Sequence, residues 1–137
     1  LARRDHPIFD DEITPERFAS FPQISVSRRG RAIGPIDEEL ANLGLRREIR
    51  LTAPTFHSSI FALLESDLVL PIAEHSLWRL DRLGFALRQF DIPLPLKYVV
   101  ILQAWHPRFD NDPAHSWLRQ TVKRVCIELR ESSGLLS

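Results

Sequence analysis

The turn Pro54-Thr55-Phe56-His57 is the strongest candidate for a ligand contact in this sequence. A predicted strand ends here and a predicted helix begins, so unpaired backbone N–H groups point into the crevice at the carboxyl edge of a sheet. The positive end of the helix adds to these donors, and such places bind small anions, including carboxylates. Thr55 could then hydrogen-bond a ligand and Phe56 could stack on it. Alternatively, Thr55 only caps the helix and Phe56 only fills the core.

A basic segment follows another predicted strand. Arg28, Arg29 and Arg31 come directly after this strand and could reach an anionic ligand. A basic run on a turn is also common on a solvated surface, which is the simpler interpretation. We include Arg28 with the turn residues in the predicted ligand site.

Enzymatic chemistry has little support. His57-Ser58-Ser59 combines a base with two hydroxyl nucleophiles, but neighbours on one helical turn point in different directions. No acidic residue is placed to orient the base, and no glycines flank the serines as in a nucleophile elbow. The sequence therefore predicts no catalytic residue and no enzyme.

Four nitrogen and oxygen ligands that could meet around zinc follow one another late in the chain: His106, Asp110, Asp112 and His115. Asp112, however, is followed by Pro113, a pair typical of a helix cap and first helical residue. His115 then lies one turn inside that helix. We therefore predict no metal site and no cofactor, and expect His6 and His106 to make ordinary hydrogen bonds.

Composition limits the class of protein. The 137 residues carry 18 basic and 18 acidic side chains, and this zero net charge argues against a domain whose main task is gripping phosphate backbones. With 44% apolar residues, the chain is globular rather than disordered, and no apolar run is long enough to span a membrane. The single cysteine, Cys126, excludes an internal disulfide and fits a reducing compartment. The chain lacks methionine, so we expect it to be a piece of a larger protein.

Strands and helices alternate along the chain, which predicts an α/β layer fold with a largely parallel sheet. The predicted strands are Ile24 to Ser27, Glu48 to Ala53, Leu68 to Leu70 and Tyr98 to Trp105. The predicted helices are a short one starting at Thr14-Pro15, then Asp37 to Leu45, Phe56 to Glu65, Ala73 to Leu83 and Pro113 to Glu131. The last helix carries an apolar stripe on which Cys126 is predicted to be buried and inert.

Several short segments follow one another along the chain in a characteristic order and spacing. They are His6-Pro7, Asp37 and Leu40 before Gly44-Leu45-Arg47, Pro54-Thr55-Phe56, Ser66-Asp67-Leu68 with Leu70-Pro71, Trp105-His106-Arg108, Asp112-Pro113-Ala114-His115 and Trp117-Leu118-Arg119. Together they resemble the effector-binding region of LysR-type transcriptional regulators. The resemblance is closest to the subgroup of nodulation activators and aromatic-catabolism regulators.

This resemblance implies a periplasmic-binding-protein type 2-like fold, in which two α/β lobes are joined by two crossing strands and the effector lies in the cleft. Residues 1–137 would be the C-terminal part of the effector-binding domain. About 17–90 would form the second lobe complete, about 1–10 and 91–96 the crossings, and about 97–131 part of the first lobe. The N-terminal helix-turn-helix domain, the linker helix and the rest of the first lobe would be absent.

The function that the resemblance implies is sensing of a small-molecule effector, such as an aromatic or carboxylate compound, to control transcription. The resemblance also implies that the effector contacts the turn that contains Thr55. The resemblance further implies a homo-oligomer in the cytoplasm that binds DNA only through the absent N-terminal domain and does not bind membranes. The alternative is a stand-alone solute-binding domain of the same fold.

Overall fold

The computed structural model describes residues 1–27, 33–73, 84–97, 100 and 102–132, with side chains described as far as residue 129. The chain divides into two compact units. The described residues of the first unit are 1–73 and 84–97, and those of the second are 100 and 102–132. The predicted helix Ala73 to Leu83 lies almost entirely outside the described residues, and so do Arg28, Arg29 and Arg31.

The first unit alternates short strands and helices. In chain order these are β1 (Ala2–Arg3), a 3-10 turn (Pro7–Asp10), α1 (Pro15–Ser20), β2 (Gln23–Val26), α2 (Pro35–Asn42), β3 (Ile49–Ala53), α3 (Phe56–Leu64) and β4 (Leu87–Arg88). The second unit contains a 3-10 turn (Pro107–Phe109) and the long helix α4 (Pro113–Ser132).

The helices of the first unit begin and end where local chemistry favours it. Thr14 caps α1, because its Oγ1 accepts the Arg17 backbone N–H at 3.2 Å, and Pro15 is the first helical residue. α2 starts at Pro35, two residues earlier than predicted, because Gly34 serves as its cap. It ends before Gly44, whose φ of 71° lies in the left-handed region that glycine adopts without strain.

The sheet of the first unit is built around β2. β2 and β3 are parallel, with Ile24 opposite Leu51 and Val26 opposite Ala53. On the other side of β2, the predicted strand Leu68 to Leu70 is reduced to a parallel bridge between Val69 and Gln23. Separately, β1 and β4 pair antiparallel, with Ala2 opposite Arg88 and Arg3 opposite Leu87.

The core lies between this sheet and the helices. A cluster of fully buried side chains forms its centre: Ala2, Ile8, Phe18, Leu40 and Val69. Partly buried apolar residues pack against the cluster, among them Phe9, Phe90, Ile92 and Leu94. The segment that follows β4 therefore packs against the core of the first unit as far as Leu94.

Two predictions for the second unit are wrong. The described residues of the predicted strand Tyr98 to Trp105 (100 and 102–105) do not form a strand. Backbone groups of a strand need a partner, and the described part of this unit contains no other strand. Cys126 is exposed rather than buried. No described residue of the second unit covers the helix face that carries it, and Val125 beside it is 42% exposed.

His6 occupies an unusual place next to the core. Its side chain is 1% exposed, and its Nδ1 accepts the Ile8 N–H at 2.9 Å, which caps the first 3-10 turn. Its ring meets Phe21 edge to face, with 4.9 Å between centroids. Its Nε2 is buried without a hydrogen-bond partner among the described residues. Burial lowers the pKa of His6 from its ordinary value of 6.5, because the charged form would lose its hydration.

We expect the chain to lose stability as the pH falls below 6.5. The unfolded chain takes up a proton at position 6 before the folded chain does, so the contribution of neutral His6 is complete above that pH and decreases below it. Urea unfolding at about pH 8 and about pH 5 measures the loss. His6→Asn keeps an acceptor where Nδ1 lies but does not titrate, so it should reduce the difference between the two pH values. An equal pH dependence in both chains would contradict this role.

Candidate functional site

The turn between β3 and α3 has the predicted geometry. β3 ends at Ala53, and α3 begins at Phe56 with Thr55 as its cap. Thr55 Oγ1 accepts the Ser58 backbone N–H at 3.3 Å and lies 3.1 Å from Ser58 Oγ. Thr55 and His57 are exposed, and Phe56 is half-buried. The capping role of Thr55 is therefore observed, and its side chain is exposed to solvent.

The carboxyl ends of β2 and β3 meet at this edge of the sheet, where Val26 lies opposite Ala53. The Ser27 N–H donates to the Ala53 carbonyl at 2.9 Å, so the chain leaves β2 beside the turn. On the other side of β2, Val69 pairs parallel with Gln23, the first residue of that strand. In open α/β sheets, ligands bind in the crevice outside the carboxyl ends of the strands. Arg28 follows Ser27 directly in the chain, but its side chain lies outside the described residues.

The hydroxyls of this turn have backbone partners. Ser58 Oγ donates to the Thr55 carbonyl at 2.8 Å, and the buried Ser59 Oγ donates to the same carbonyl at 3.1 Å. The His57 ring contacts Phe56, with 5.8 Å between ring centroids. The two serines therefore stabilise the first turn of α3, and the structure does not pair either of them with His57 as a nucleophile with its base.

The four candidate metal ligands have separate local roles. As expected, His106 makes an ordinary hydrogen bond, in which its Nδ1 accepts the Arg108 N–H at 3.1 Å. Asp112 Oδ1 caps α4 by accepting the His115 N–H at 3.0 Å. Asp110 Oδ1 accepts the Trp105 indole N–H at 2.7 Å, and His115 Nδ1 lies 2.9 Å from Arg119 Nη1. Within the described ranges, no three histidine, cysteine or acidic side chains gather as a metal site would require.

A buried polar network holds the elements that carry the turn, and the sequence did not predict it. The Arg47 guanidinium binds both carboxylate oxygens of Asp37, with Nε at 2.8 Å and Nη2 at 2.7 Å. Its Nη1 donates to Gln23 Oε1 at 3.0 Å, and Gln23 Nε2 donates to the Phe18 carbonyl at 2.9 Å. The network therefore joins α1, β2, α2 and the residues before β3. The available signal was an arginine in a run of polar residues before a strand, which does not distinguish a buried ion pair from a surface one.

The same network caps α2 and sets the charge of Asp37. Asp37 Oδ2 accepts the Gly34 backbone N–H at 2.7 Å. Burial alone would raise the pKa of Asp37, but the hydrogen bonds from Arg47 and Gly34 outweigh it, and the pKa lies below its ordinary value. Asp37 is therefore held as a carboxylate.

A shallow depression of about 350 Å³ lies at the opposite end of α3. It is lined by Arg3, Asp5, Leu64, Glu65, Ser66 and Asp67. The Arg3 guanidinium already binds Asp67 Oδ1, with Nε at 3.0 Å and Nη2 at 2.6 Å, and Asp5 at 2.5 Å. Because its only cationic side chain is paired with these carboxylates, the depression offers less to an anion than the Thr55 turn does.

Known proteins of similar sequence are transcriptional regulators. The transcriptional activator NahR of Pseudomonas putida is 32% identical over 128 residues, which is 89% of this chain and 40% of that protein. The regulator LinR of Sphingobium indicum is 30% identical, over 91% of this chain and 41% of LinR. The chain thus spans about two fifths of the length of these relatives. No protein-family model matches the chain.

Solved structures of similar fold come from the same kind of protein. The regulatory domain of MexT, a transcriptional activator of Pseudomonas aeruginosa, superposes with a TM-score of 0.66 at 28% identity. The match covers 88% of this chain and 57% of that domain. A probable transcriptional regulator from the same organism gives a TM-score of 0.59 at 29% identity, over 70% of this chain and 32% of that one.

Among the described helices, none has the length and apolar character needed to cross a lipid bilayer. The sequence and structural matches agree with each other, and both extend over most of the chain. LysR-type transcriptional regulators are therefore homologues of this chain, which has the periplasmic-binding-protein type 2-like α/β fold of their regulatory domains.

Proposed function

We propose that this chain is the effector-sensing part of a LysR-type DNA-binding transcriptional regulator. The regulatory role is supported by its homology to proteins named as transcriptional activators. The observation that carries the site is the exposed Thr55 cap of α3, placed where the carboxyl ends of parallel strands meet. A small molecule bound there changes transcription, and the chain has no enzymatic task.

The proposed division of the chain follows from this function. Residues of about 17–90 form the second lobe, about 1–10 and 91–96 are the crossings, and about 97–131 belong to the first lobe. The antiparallel pairing of β1, in the first crossing, with β4, which comes just before the second crossing, supports this assignment. DNA binding belongs to an N-terminal helix-turn-helix domain outside this chain, and the regulator acts in the cytoplasm as a homo-oligomer without binding membranes.

The proposed ligand contacts are Pro54, Thr55, Phe56, His57 and Arg28. A carboxylate accepts hydrogen bonds from the first turn of α3, which the positive helix end favours. The Thr55 hydroxyl and the half-buried Phe56 ring add a polar and an apolar contact. A ligand that binds one lobe arrangement more tightly than the other shifts the population towards it, and the geometry of the oligomer changes accordingly.

Thr55→Val should weaken binding of an aromatic carboxylate while leaving the fold intact. The change removes one hydroxyl at nearly constant shape, and loss of the cap costs about 1 kcal/mol of stability. Binding of benzoate and substituted benzoates to the regulator, followed by thermal shift, measures the effect.

Thr14→Val is the matched control for this experiment, because Thr14 caps α1 in the same way. It should cost similar stability without changing ligand affinity. If both variants bind every tested carboxylate as the original chain does, the turn is not the effector site. The proposed regulatory role could then still hold with a site elsewhere.

The isolated 137-residue chain should self-associate through α4. Apolar side chains are exposed along this helix, with Trp117 at 66%, Leu118 at 50% and Val122 at 40%. A continuous exposed apolar stripe normally has a partner surface, and sedimentation measures whether a second copy provides it. Leu118→Glu on the stripe should disperse the oligomer, whereas Gln120→Glu on the polar side should not. A monomer at high concentration, with Trp117 shielded from a quencher, would contradict this prediction.

A further inference from the structure

The residues that follow α3 are tied both to its last turn and to β1. Ser66 Oγ donates to the Ala62 carbonyl at 2.5 Å, which holds the chain against the end of the helix. The next residue, Asp67, accepts two hydrogen bonds from the Arg3 guanidinium on one carboxylate oxygen, with Nε at 3.0 Å and Nη2 at 2.6 Å. A continuous line of contacts therefore runs from the C-terminal end of α3 to β1.

Arg3 is the side chain of β1 that reaches this helix end. α3 packs against β1, a strand of two residues. The other residue, Ala2, is buried in the central cluster, whose described members include no residue of α3. Because the Arg3 guanidinium also binds Asp5 Oδ1 at 2.5 Å, its position is fixed on both sides. The Arg3–Asp67 pair is therefore a defined side-chain link between β1 and the end of α3.

The backbone attaches β1 to other elements. The Leu70 N–H, one residue beyond the bridge to β2, donates to the Leu1 carbonyl at 2.8 Å. On the other side, the Arg4 N–H donates to the Ala86 carbonyl next to β4, also at 2.8 Å. These bonds hold β1 to the sheet and to β4, whereas the Arg3 side chain holds it to the helix that carries the effector turn.

We propose that the Arg3–Asp67 pair joins α3 and β1 into one cooperative unit, so that an anion bound at the Thr55 turn stabilises β1, the strand in the first crossing. This inference rests on the proposed effector site. Proteins open locally in cooperative units, and a ligand suppresses every opening in which its own site is lost. Because β1 opens together with α3, a ligand at the start of α3 slows the opening of β1 as well. The effector turn and the crossing are thus coupled through the length of the helix.

Amide hydrogen exchange with and without a benzoate tests the coupling in the full 137-residue chain. The probe is the Arg4 N–H, which is bonded to the Ala86 carbonyl. Benzoate, or a substituted benzoate that shifts residues 55–58, is added at about nine times its Kd, which reduces the open population about tenfold. Exchange at Arg4 should therefore slow about tenfold. The Ser116 N–H, bonded to the Asp112 carbonyl in the second unit, is the reference and should not change.

Variants assign the coupling to the pair. Arg3→Met keeps the apolar stem but lacks the guanidinium, so the benzoate should bind with unchanged affinity and no longer slow exchange at Arg4. Asp67→Ala should give the same result, and the double variant should lose no more than either single variant, because all three lack the same contact. Arg4→Met is the matched control and should retain the slowing, because Arg4 is exposed and joins none of the ion pairs in the described part of the chain.

The outcomes separate this inference from the proposed effector site. Amide shifts at residues 55–58 without slower exchange at Arg4 would refute the coupling and leave the effector site in place. Slowing that survives in Arg3→Met would do the same. If no tested benzoate shifts residues 55–58, the effector site is refuted, and the coupling that rests on it fails with it.

Discussion

Phe18→Ala should lower the free energy of unfolding by about 3–5 kcal/mol, the range measured when a buried aromatic side chain is truncated. Phe18 is fully buried in the central cluster of the first unit, and its ring meets Phe90 at 6.4 Å between centroids. The variant would leave a cavity where α1 packs on the sheet and on the segment after β4. Urea unfolding of the chain measures the loss.

Phe61→Ala is the control for this prediction. Phe61 lies on α3 and is 69% exposed, so its truncation should change stability by about 0.5 kcal/mol or less. If the two variants are equally stable, Phe18 is not part of the core. The packing of α1 against the sheet would then have to be revised.

Arg47→Met should lower the free energy of unfolding by about 3 kcal/mol, because removing one partner leaves a partly buried charge without compensation. Arg47 is 9% exposed and holds Asp37 and Gln23 together. The loss should shrink below pH 3.8. The lowered pKa of Asp37 means that its contribution is complete above this value and decreases as the carboxylate is protonated below it.

Arg50→Met provides the comparison with an exposed ion pair. Arg50 binds Glu48 at 2.6 Å, and both side chains are about 60% exposed, at 62% and 59%. Exposed pairs contribute about 0–1 kcal/mol, so this variant should be close to the original chain. Equal losses in the two arginine variants would show that the Asp37–Arg47 pair is no more important than a surface pair.

Local rules of capping and periodicity predicted much of the first unit. Thr14 followed by Pro15 marked the start of α1, and Thr55 before an apolar period marked α3. Gly44 marked the end of α2 through its left-handed backbone. These signals act within one helical turn, so a single sequence contains everything they need.

Predictions that depend on distant partners were less successful. The segment from Tyr98 to Trp105 is rich in β-branched and aromatic residues, but a strand also needs a neighbour to pair with. The periodicity of α4 identified an apolar stripe correctly, yet spacing does not reveal whether another element covers it, and Cys126 is exposed.

The side-chain networks could not be predicted from the sequence either, because their members lie far apart in the chain. Arg47 binds Asp37, ten residues away, and Gln23, 24 residues away. Arg119 gathers Trp105, Phe109 and His115 only because a 3-10 turn folds back on α4. At the candidate site, the sequence predicted the Thr55 turn, whereas the meeting of the β2 and β3 ends required their register, which pairs Val26 with Ala53.

The central claim is that the carboxyl edge of the parallel strands binds a small anionic effector through the Thr55 turn. Amide chemical shifts of the ¹⁵N-labelled chain, titrated with benzoate and substituted benzoates, test it most directly, because shifts report even weak binding residue by residue. We predict that saturable shifts for at least one of these carboxylates concentrate at residues 55–58 and at Ser27, and that cyclohexanol, which lacks the anion, does not produce them. Saturable shifts confined to other residues, or no shifts with any of these carboxylates, would contradict the account.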